Sequence, residues 1–155
     1  MFEFREIVVF CVDSIKFATP VSSIEYIIQA VEIMPLPGAP DLLSGILNYH
    51  GEIIPVINFR GKLKLKERTV CSQDFIIIAN TGKRKIAFVV DEITGYREIN
   101  NSDIKDIHTI WQGISRIESI VSDKEDYIII TDFEHFLSGE EESSLVSLLP
   151  DIQKK

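Results

Sequence analysis

The sequence predicts an all-β protein made of two small five-stranded barrels of the OB-like or SH3-like kind, with short helices. β-branched residues dominate its apolar runs, which are about five to eight residues long and are separated by Gly, Pro, Asn or Asp. A similar pattern occurs twice along the chain. Hydrophobic residues form 45% of the 155 residues, which is enough apolar material for one compact structural unit.

Ten segments have the length and composition of strands. In chain order they are Ile7–Val12, Ile15–Thr19, Ile24–Gln29, Gly45–Tyr49, Ile53–Ile57, Phe75–Asn80, Ile86–Val90, Gly95–Ile99, Ile114–Val121 and Tyr127–Thr131. Turn-forming residues stand between them, for example in Pro35–Gly38 and Asn80–Gly82. About ten short strands joined by regular turns are typical of a barrel or a sandwich.

Helical patterns are short. Pro40–Ser44 suits a single helical turn, and Asp132–Leu137 has a capping residue before a short apolar stripe. After Gly139 a run of acidic residues precedes apolar residues at helical spacing between positions 145 and 149. We therefore predict one domain over residues 1–138 and an acidic C-terminal tail over residues 139–155 that contains a short docked or frayed helix.

An internal repeat explains why two barrels are expected rather than one. Matched positions share one offset, since 85 − 16 = 69, and they are Ile7–Val9 with Ile76–Ile78, Lys16–Ala18 with Lys85–Ala87, Val21 with Val90, and Ile24 with Ile93. Pro55–Phe59 also matches Ile129–Phe133 at an offset of 74. Strands rich in Ile and Val also align by chance, but several matches in the same order favour a duplication of about five strands.

The charge balance argues against nucleic acid and membrane partners. Asp and Glu number 24 against 16 Lys and Arg, so the net charge of −8 repels a phosphate backbone and an anionic membrane surface. Glu3 and Glu6 stand before a short apolar run near the N-terminus, and no run approaches the roughly 20 residues of a membrane span. We therefore expect no nucleic acid partner, no direct membrane insertion and a cytoplasmic location.

Residues that carry catalysis or bind metals are scattered. His50, His108 and His135 are isolated from one another, and none has metal-ligand spacing. Cys11 and Cys71 lie in or beside apolar stretches without a CxxC motif, so we predict reduced thiols in the core. The sequence therefore predicts no catalytic residue, no metal site and no cofactor, and hence a protein that is not an enzyme.

One basic cluster, Arg60–Arg68, interrupts the acidic chain. If this segment is extended, its alternation places Lys62, Lys64 and Lys66 on one face. Such a face is either a contact for an acidic protein surface or a solvated strand edge that lysines protect from aggregation.

Two segments resemble the motifs of CheW-like domains. After the proline-rich turn Pro35–Pro40, residues 45–60 read G-I-L-N-Y-H-G-E-I-I-P-V-I-N-F-R, which is similar to the family pattern G-V-x-N-x-R-G-x-I-x-P-V-x-D-L-R. Residues 87–96 resemble the family's V-V-D-x-V-x-x-V segment. The similarity runs from about Phe4 to Leu137 and implies two intertwined five-stranded barrels.

The resemblance also implies a function. Proteins of this family are adaptors in chemotaxis signal transduction that join the cytoplasmic tip of a chemoreceptor to the regulatory domain of a CheA-type histidine kinase. The residues that the resemblance assigns to partner binding are Ile24, Tyr26, Ile27, Gly45, Asn48, His50, Gly51, Arg60, Asp91 and Gly95. We expect a groove bordered by the strand that carries Tyr26 and by the hairpin from Gly45 to Gly51.

Three positions depart from the family pattern. His50 stands where the family has Arg, Tyr26 stands where it has an acidic residue, and Asn58 stands where it has Asp. Because His carries one pH-dependent charge on a shorter stem, its exchange for Arg is not conservative. His50 is therefore either a partner contact or a plain turn residue, and Gly45, Gly51 and Asp91 also have a purely structural interpretation.

Two other functions remain open at this stage. The first is a divergent CheW-like scaffold of a different receptor–kinase pathway, such as one for motility or gene regulation, and His50 and Tyr26 are the reasons to consider it. The second is an OB-like module that binds a small ligand or single-stranded nucleic acid. The acidic balance and the lack of a strand face that combines aromatic and basic residues argue against this second function.

Overall fold

The computed structural model describes residues 6–100, 103–106, 119–123 and 126–131, together with Ser143 and Leu145. In these ranges the strands are β1 (Glu6–Val12), β2 (Ile15–Pro20), β3 (Ile24–Gln29), β4 (Leu43–Tyr49), β5 (Glu52–Ile57), β6 (Phe75–Asn80), β7 (Lys85–Val90), β8 (Glu92–Glu98), β9 (Ile104–Asp106), β10 (Ser119–Asp123) and β11 (Asp126–Ile130). A 3₁₀ turn covers Val21–Ser23, and the four-residue helix α1 covers Phe59–Lys62.

The strands form two sheets. One has six strands in the order β8-β1-β2-β11-β10-β9, and the other has five in the order β3-β6-β7-β5-β4. Neighbouring strands are antiparallel except for β2 with β11 and β5 with β7, which are parallel. The all-β prediction is confirmed, and the six-stranded sheet has one strand, β9, more than expected.

The two sheets show that the duplication is real and that its halves are intertwined. The repeat offsets equate β1 with β6, β2 with β7, β3 with β8, and β5 with β11. If each strand in the order β3-β6-β7-β5 of the five-stranded sheet is replaced by its equivalent, the result is β8-β1-β2-β11, which is the order in the six-stranded sheet. Each half of the chain therefore contributes its first hairpin to the sheet of the other half.

The exchanged hairpins bury both of their faces. Between the sheets the rings of Phe10, Phe17, Phe59 and Phe88 form a shared core, with ring centroids 5.1–5.9 Å apart. The opposite faces of the same hairpins pack into two further hydrophobic clusters, one formed by the six-stranded sheet and one by the five-stranded sheet. Burial on both faces explains why these strands are continuous apolar runs rather than alternating ones.

Two local predictions are wrong. The helical turn predicted at Pro40–Ser44 is instead a single hydrogen-bonded turn, in which Leu43 N–H donates to the Pro40 carbonyl at 3.0 Å, and the buried Leu43 then begins β4 by pairing with Ile57. The basic cluster does not begin as an extended edge, because Asn58 Oδ1 accepts a hydrogen bond from Gly61 N–H at 3.0 Å and caps helix α1.

The prediction of core thiols is also wrong for Cys71, which is exposed in the loop before β6, while Cys11 is half-buried. The predicted helix over 132–137 and the start of the strand predicted from residue 114 lie outside the described residues. In the predicted tail, Ser143 and Leu145 are helical, and Leu145 is fully buried in the shared core. The boundary at residue 138 stays a prediction.

Candidate partner-binding site

The outer strands of the five-stranded sheet, β3 and β4, approach each other across a gap that we call the seam. The rings of Tyr26 on β3 and Tyr49 on β4 lie 5.1 Å apart across it. Beyond the end of β3, Met34 forms an isolated bridge to Ile46 on β4. The seam is therefore held by a ring contact and one bridge rather than by a continuous ladder of backbone hydrogen bonds.

A tight turn fixes the β4–β5 end of the seam. Tyr49 pairs with Glu52, and the two residues between them, His50 and Gly51, have φ angles of +52° and +86°. These values fit a type I′ hairpin turn, which requires positive φ at both central positions. Asn48 Oδ1 accepts a hydrogen bond from Gly51 N–H at 2.9 Å. The exposed His50 ring then contacts the Tyr49 ring at 4.3 Å.

Gly45 has a packing role near the start of β4. Ile46 N–H donates to the Met34 carbonyl at 2.8 Å, so the backbone of Gly45 runs directly against Met34. A Cβ atom at position 45 would lie 2.3 Å from that carbonyl oxygen. Gly45 is thus needed for the close approach of the two segments.

An ion network lies beside the seam. Lys85 Nζ contacts Glu25 on β3 at 3.1 Å and Glu52 on β5 at 3.0 Å, and Asn80 Nδ2 donates to Glu25 at 3.1 Å. The hydrogen bonds from Asn80 and then from Lys85 hold the pKa of Glu25 below its ordinary value. Lys85, on β7, therefore links β3 to β5, the hairpin partner of β4.

A second ionic cluster, the Asp91 cluster, lies where the chain passes from β7 to β8. Arg60 Nη2 donates to both carboxylate oxygens of Asp91 at 2.8 Å, and Arg68 Nη2 lies 2.7 Å from Oδ1. The backbone N–H of Asp13, in the β1–β2 turn, donates to Oδ2 at 2.8 Å. Asp91 therefore links the first hairpin of the six-stranded sheet to helix α1 and to the loop after it.

Arg68 connects this cluster to the loop before β6. Its Nη2 also bonds to the buried Asp74 at 2.7 Å, and Asp74 in turn accepts the N–H of Cys71 at 2.9 Å. Burial opposes ionisation of Asp91 and Asp74, but hydrogen bonds from the arginines outweigh it, so the pKa of each carboxyl lies below its usual value. Both carboxylates are therefore charged at neutral pH.

Comparison with known proteins decides the family. The sequence model of the CheW-like domain matches residues 6–141 of this chain. The chain belongs to the CheW-like domain family. It is 26% identical over 149 residues to Chemotaxis protein CheW of Treponema pallidum, which covers 92% of this chain and 88% of that relative.

More distant comparisons agree with this family. Protein FrzA of Myxococcus xanthus is 25% identical over 100 residues, or 64% of this chain and 62% of the relative. The crystal structure of the scaffolding protein TtCheW from Thermoanaerobacter tengcongensis superimposes with a TM-score of 0.77 at 24% identity, over 88% of this chain and 96% of that one. That structural likeness shows a shared fold.

The structure places the ten predicted partner-binding residues of this CheW-like chain in three locations. Seven lie on β3 or in the β4–β5 hairpin, and they are Ile24, Tyr26, Ile27, Gly45, Asn48, His50 and Gly51. Of these, Ile24 packs against the shared core. Arg60 and Asp91 instead bind each other in the Asp91 cluster, where the Arg60 side chain is only 12% exposed. Gly95, with a φ of +142°, lies opposite Val9 in the six-stranded sheet.

Sequence reasoning missed four residues of the seam, which are Glu25, Tyr49, Glu52 and Lys85. Tyr49 and Glu52 lie within the family motif, but the motif marks neither as a contact. Because Lys85 is 60 positions from Glu25 and 33 from Glu52 (85 − 25 and 85 − 52), only the tertiary fold shows that they meet. The pairing of Tyr49 with Glu52, in contrast, could have been predicted from the two-residue turn of the β4–β5 hairpin.

An open apolar groove of about 520 Å³ continues from the end of β3, between residues 30–35 and residues 69–72.

Within the described part of the chain, no group of three or more His, Cys, Asp or Glu side chains is placed to hold a metal ion. No helix among those residues has the length and apolar character needed to cross a membrane.

Proposed function

We propose that this CheW-like chain is a cytoplasmic adaptor without enzymatic activity, which couples the cytoplasmic tip of a chemoreceptor to the regulatory domain of a CheA-type histidine kinase. Family membership and relatives named Chemotaxis protein CheW support the chemotaxis role. The partner-binding surface that we propose is the seam together with the adjacent apolar groove.

The distribution of exposed apolar side chains is the observation that carries this proposal. Tyr26, Ile27, Val31 and Met34 are 47%, 38%, 48% and 61% exposed, and all lie on β3 or on the segment directly after it. Val70 faces the same groove from the loop before β6. These exposed apolar side chains are concentrated along the edge strand β3, the segment after it and the groove beside that segment, and together we call them the apolar patch. Such a concentration on a well-packed scaffold is typical of a protein–protein interaction site.

The scaffold beneath this surface is rigid enough for an adaptor. The shared core locks the two sheets together, and the Asp91 cluster ties the loop that carries Val70 to both of them. A preorganised surface loses less conformational entropy on association than a mobile one. Binding alone, without turnover of a substrate, is the activity that this arrangement supports.

Binding to each partner is measured separately, with a receptor-tip fragment and with an isolated kinase regulatory domain. The substitutions Ile27→Asp and Val31→Asp each place a charge in the apolar patch, and we expect at least about a tenfold loss of affinity for one partner, since burying an unpaired charge is costly. Tyr127→Asp, on the six-stranded sheet and 60% exposed, is the matched control. If the wild-type chain binds neither partner, the proposed function is wrong.

A second candidate function keeps the adaptor role but changes the pathway. Tyr26 and His50 stand at positions where the family pattern has charged residues, and the structure brings both into contact with Tyr49. The relative named Protein FrzA shows that proteins similar to this chain also have names other than CheW. A Tyr26→Glu/His50→Arg double variant should bind standard chemotaxis partners more tightly than the wild type does. An unchanged affinity would contradict this second candidate.

A further inference from the structure

We propose that the seam binds a cationic side chain of a partner protein, an arginine or a lysine, against the Tyr26–Tyr49 ring pair and the carboxylates of Glu25 and Glu52. This inference rests on the proposed adaptor function and specifies the partner chemistry that its surface selects. It makes Tyr26 and Tyr49 specificity-determining residues for the interaction.

The two tyrosine rings provide the aromatic part of the site. Their centroids lie 5.1 Å apart and their planes are inclined by 47°. Tyr49 packs against the cluster inside the five-stranded sheet and is partly buried, whereas Tyr26 is 47% exposed. The face of a phenol ring carries negative electrostatic potential and attracts ammonium and guanidinium groups. One ring is thus held in place while the other offers its surface to a partner.

The charges beside the rings also favour a cation. Glu25 directly precedes Tyr26, and Glu52 is the strand partner of Tyr49. Both carboxylates contact Lys85, so two negative charges and one positive charge leave a net charge of −1 at the seam. Since an ionised carboxylate accepts about four hydrogen bonds, Glu25 and Glu52 keep capacity for a further donor. The overall charge of −8 favours approach of a basic surface.

Position 50 does not supply a permanent cation to the Tyr26–Tyr49 ring pair. The family pattern has an arginine at this position, which would place a permanent positive charge next to Tyr49 within the same chain. His50 contacts the Tyr49 ring at 4.3 Å in an edge-to-face arrangement, but it lacks the long stem and permanent charge of arginine. The exchange leaves the ring pair and the carboxylates available to a partner's arginine or lysine.

Substitutions at Tyr26 separate a cation site from a purely apolar contact. Tyr26→Leu keeps apolar area but removes the ring, so we expect about a tenfold loss of affinity for the receptor-tip fragment or the kinase regulatory domain. Tyr26→Phe keeps the ring face and should stay within about twofold of the wild type. Tyr127→Leu, on the other sheet, should bind unchanged. Wild-type affinity in Tyr26→Leu would overturn the proposal, as would a loss in Tyr26→Phe equal to that in Tyr26→Leu.

The carboxylates are tested through salt dependence. In the wild type we expect affinity to fall between about 50 mM and 500 mM salt, because the ionic contact is screened. The Glu25→Gln/Glu52→Gln double variant should bind about tenfold more weakly at low salt and lose most of that salt dependence. A double variant with unchanged affinity and salt dependence would contradict the role of both carboxylates.

A titration that needs no partner protein tests the site independently of the adaptor function. The wild-type chain is titrated with N-acetyl-arginine methylamide and, as the matched control, with its uncharged citrulline analogue. We expect saturable NMR shifts at the Tyr26 and Tyr49 ring resonances with arginine only. Such shifts without binding to either partner protein would refute the adaptor function and retain the cation site. Equal responses to both compounds would refute the cation site even if both partner proteins bind.

Discussion

Five equivalent strands have the same order in the two sheets, but the sheets differ in what borders the fifth strand. In the six-stranded sheet β10 pairs with β9, whereas in the described part of the chain the equivalent β4 has the Met34 bridge and the Tyr26–Tyr49 ring contact on its outer side instead of a paired strand. A bulge occurs at equivalent positions, Thr94 on β8 and Glu25 on β3, since 94 − 25 = 69. Thr94 Oγ1 donates to the Val9 carbonyl at 3.0 Å, while Glu25 reaches out to Lys85.

The two copies of the duplicated unit therefore carry different side chains at equivalent backbone positions. In the six-stranded sheet the side chain at the bulge satisfies its own backbone, and the next residue is Gly95. In the five-stranded sheet the same two positions hold a carboxylate and an aromatic ring, Glu25 and Tyr26. The backbone has a bulge at both places, so the proposed binding surface depends on side chains that only one of the two copies carries.

The largest expected effect comes from breaking the core that both sheets share. Phe10→Ala removes a ring that contacts Phe17, Phe59 and Phe88, and it should lower the free energy of unfolding by about 4 kcal/mol. Urea unfolding followed by far-UV circular dichroism measures the loss. Because the core is common to both sheets, a single transition is expected, and two separate transitions would show that the sheets unfold independently.

A smaller loss is expected at the Asp91 cluster, which also joins the sheets. Asp91→Asn leaves Arg60 and Arg68 without their shared carboxylate and should cost about 2 kcal/mol, a value reduced from that of a fully buried pair by partial solvent access. Asp13→Asn is the control, because Asp13 is exposed and lies 3.9 Å from Arg60.

The pH dependence of stability provides a second measurement on the same variant. The pKa of Asp91 is lower in the folded state, so its contribution is complete above the unfolded value of about 3.9 and disappears as the pH falls through the folded value. Wild-type stability should therefore fall below about pH 4, and Asp91→Asn should lack that part of the decline. Parallel pH curves for the two proteins would contradict this role of Asp91.

The smallest effect is expected at the bulge of the six-stranded sheet. Thr94→Val removes the hydroxyl that bonds to Val9 and should cost about 1 kcal/mol, whereas Thr94→Ser should stay close to the wild type. The urea midpoints of the three proteins, compared at equal m-values, measure this difference. If Thr94→Val is as stable as the wild type, the hydrogen bond from Thr94 to the Val9 carbonyl does not stabilise this bulge.

Local sequence signals predicted the strands well. Ile24–Gln29 and Phe75–Asn80 match β3 and β6 residue for residue, because runs rich in β-branched residues bounded by turn formers identify strands directly. The pairing of strands from opposite ends of the chain is a non-local property, so the exchange of hairpins followed only from the family resemblance. Helix α1 was missed because one side-chain cap, Asn58, stabilises it.

The site was predicted in part. Departures from the family pattern identified Tyr26 and His50, but their connection through Tyr49 depends on the approach of β3 and β4. Arg60 and Asp91 were expected to contact a partner, yet the structure pairs them with each other. A sequence motif records that such residues are required, whereas only the fold shows whether a side chain points to a partner or to its own chain.

The exchange of hairpins also sets the order in which the chain can fold during synthesis. All five strands of the five-stranded sheet lie between residues 24 and 90, so this sheet can form as soon as β7 has left the ribosome. The first hairpin, β1–β2, gains its two sheet neighbours later, since β1 pairs with β8 and β2 with β11. Thr131 N–H, at the end of β11, bonds to the Ala18 carbonyl across 113 positions of sequence. Until β11 is available, the outer edge of β2 has no strand partner, and such non-local pairing is slow.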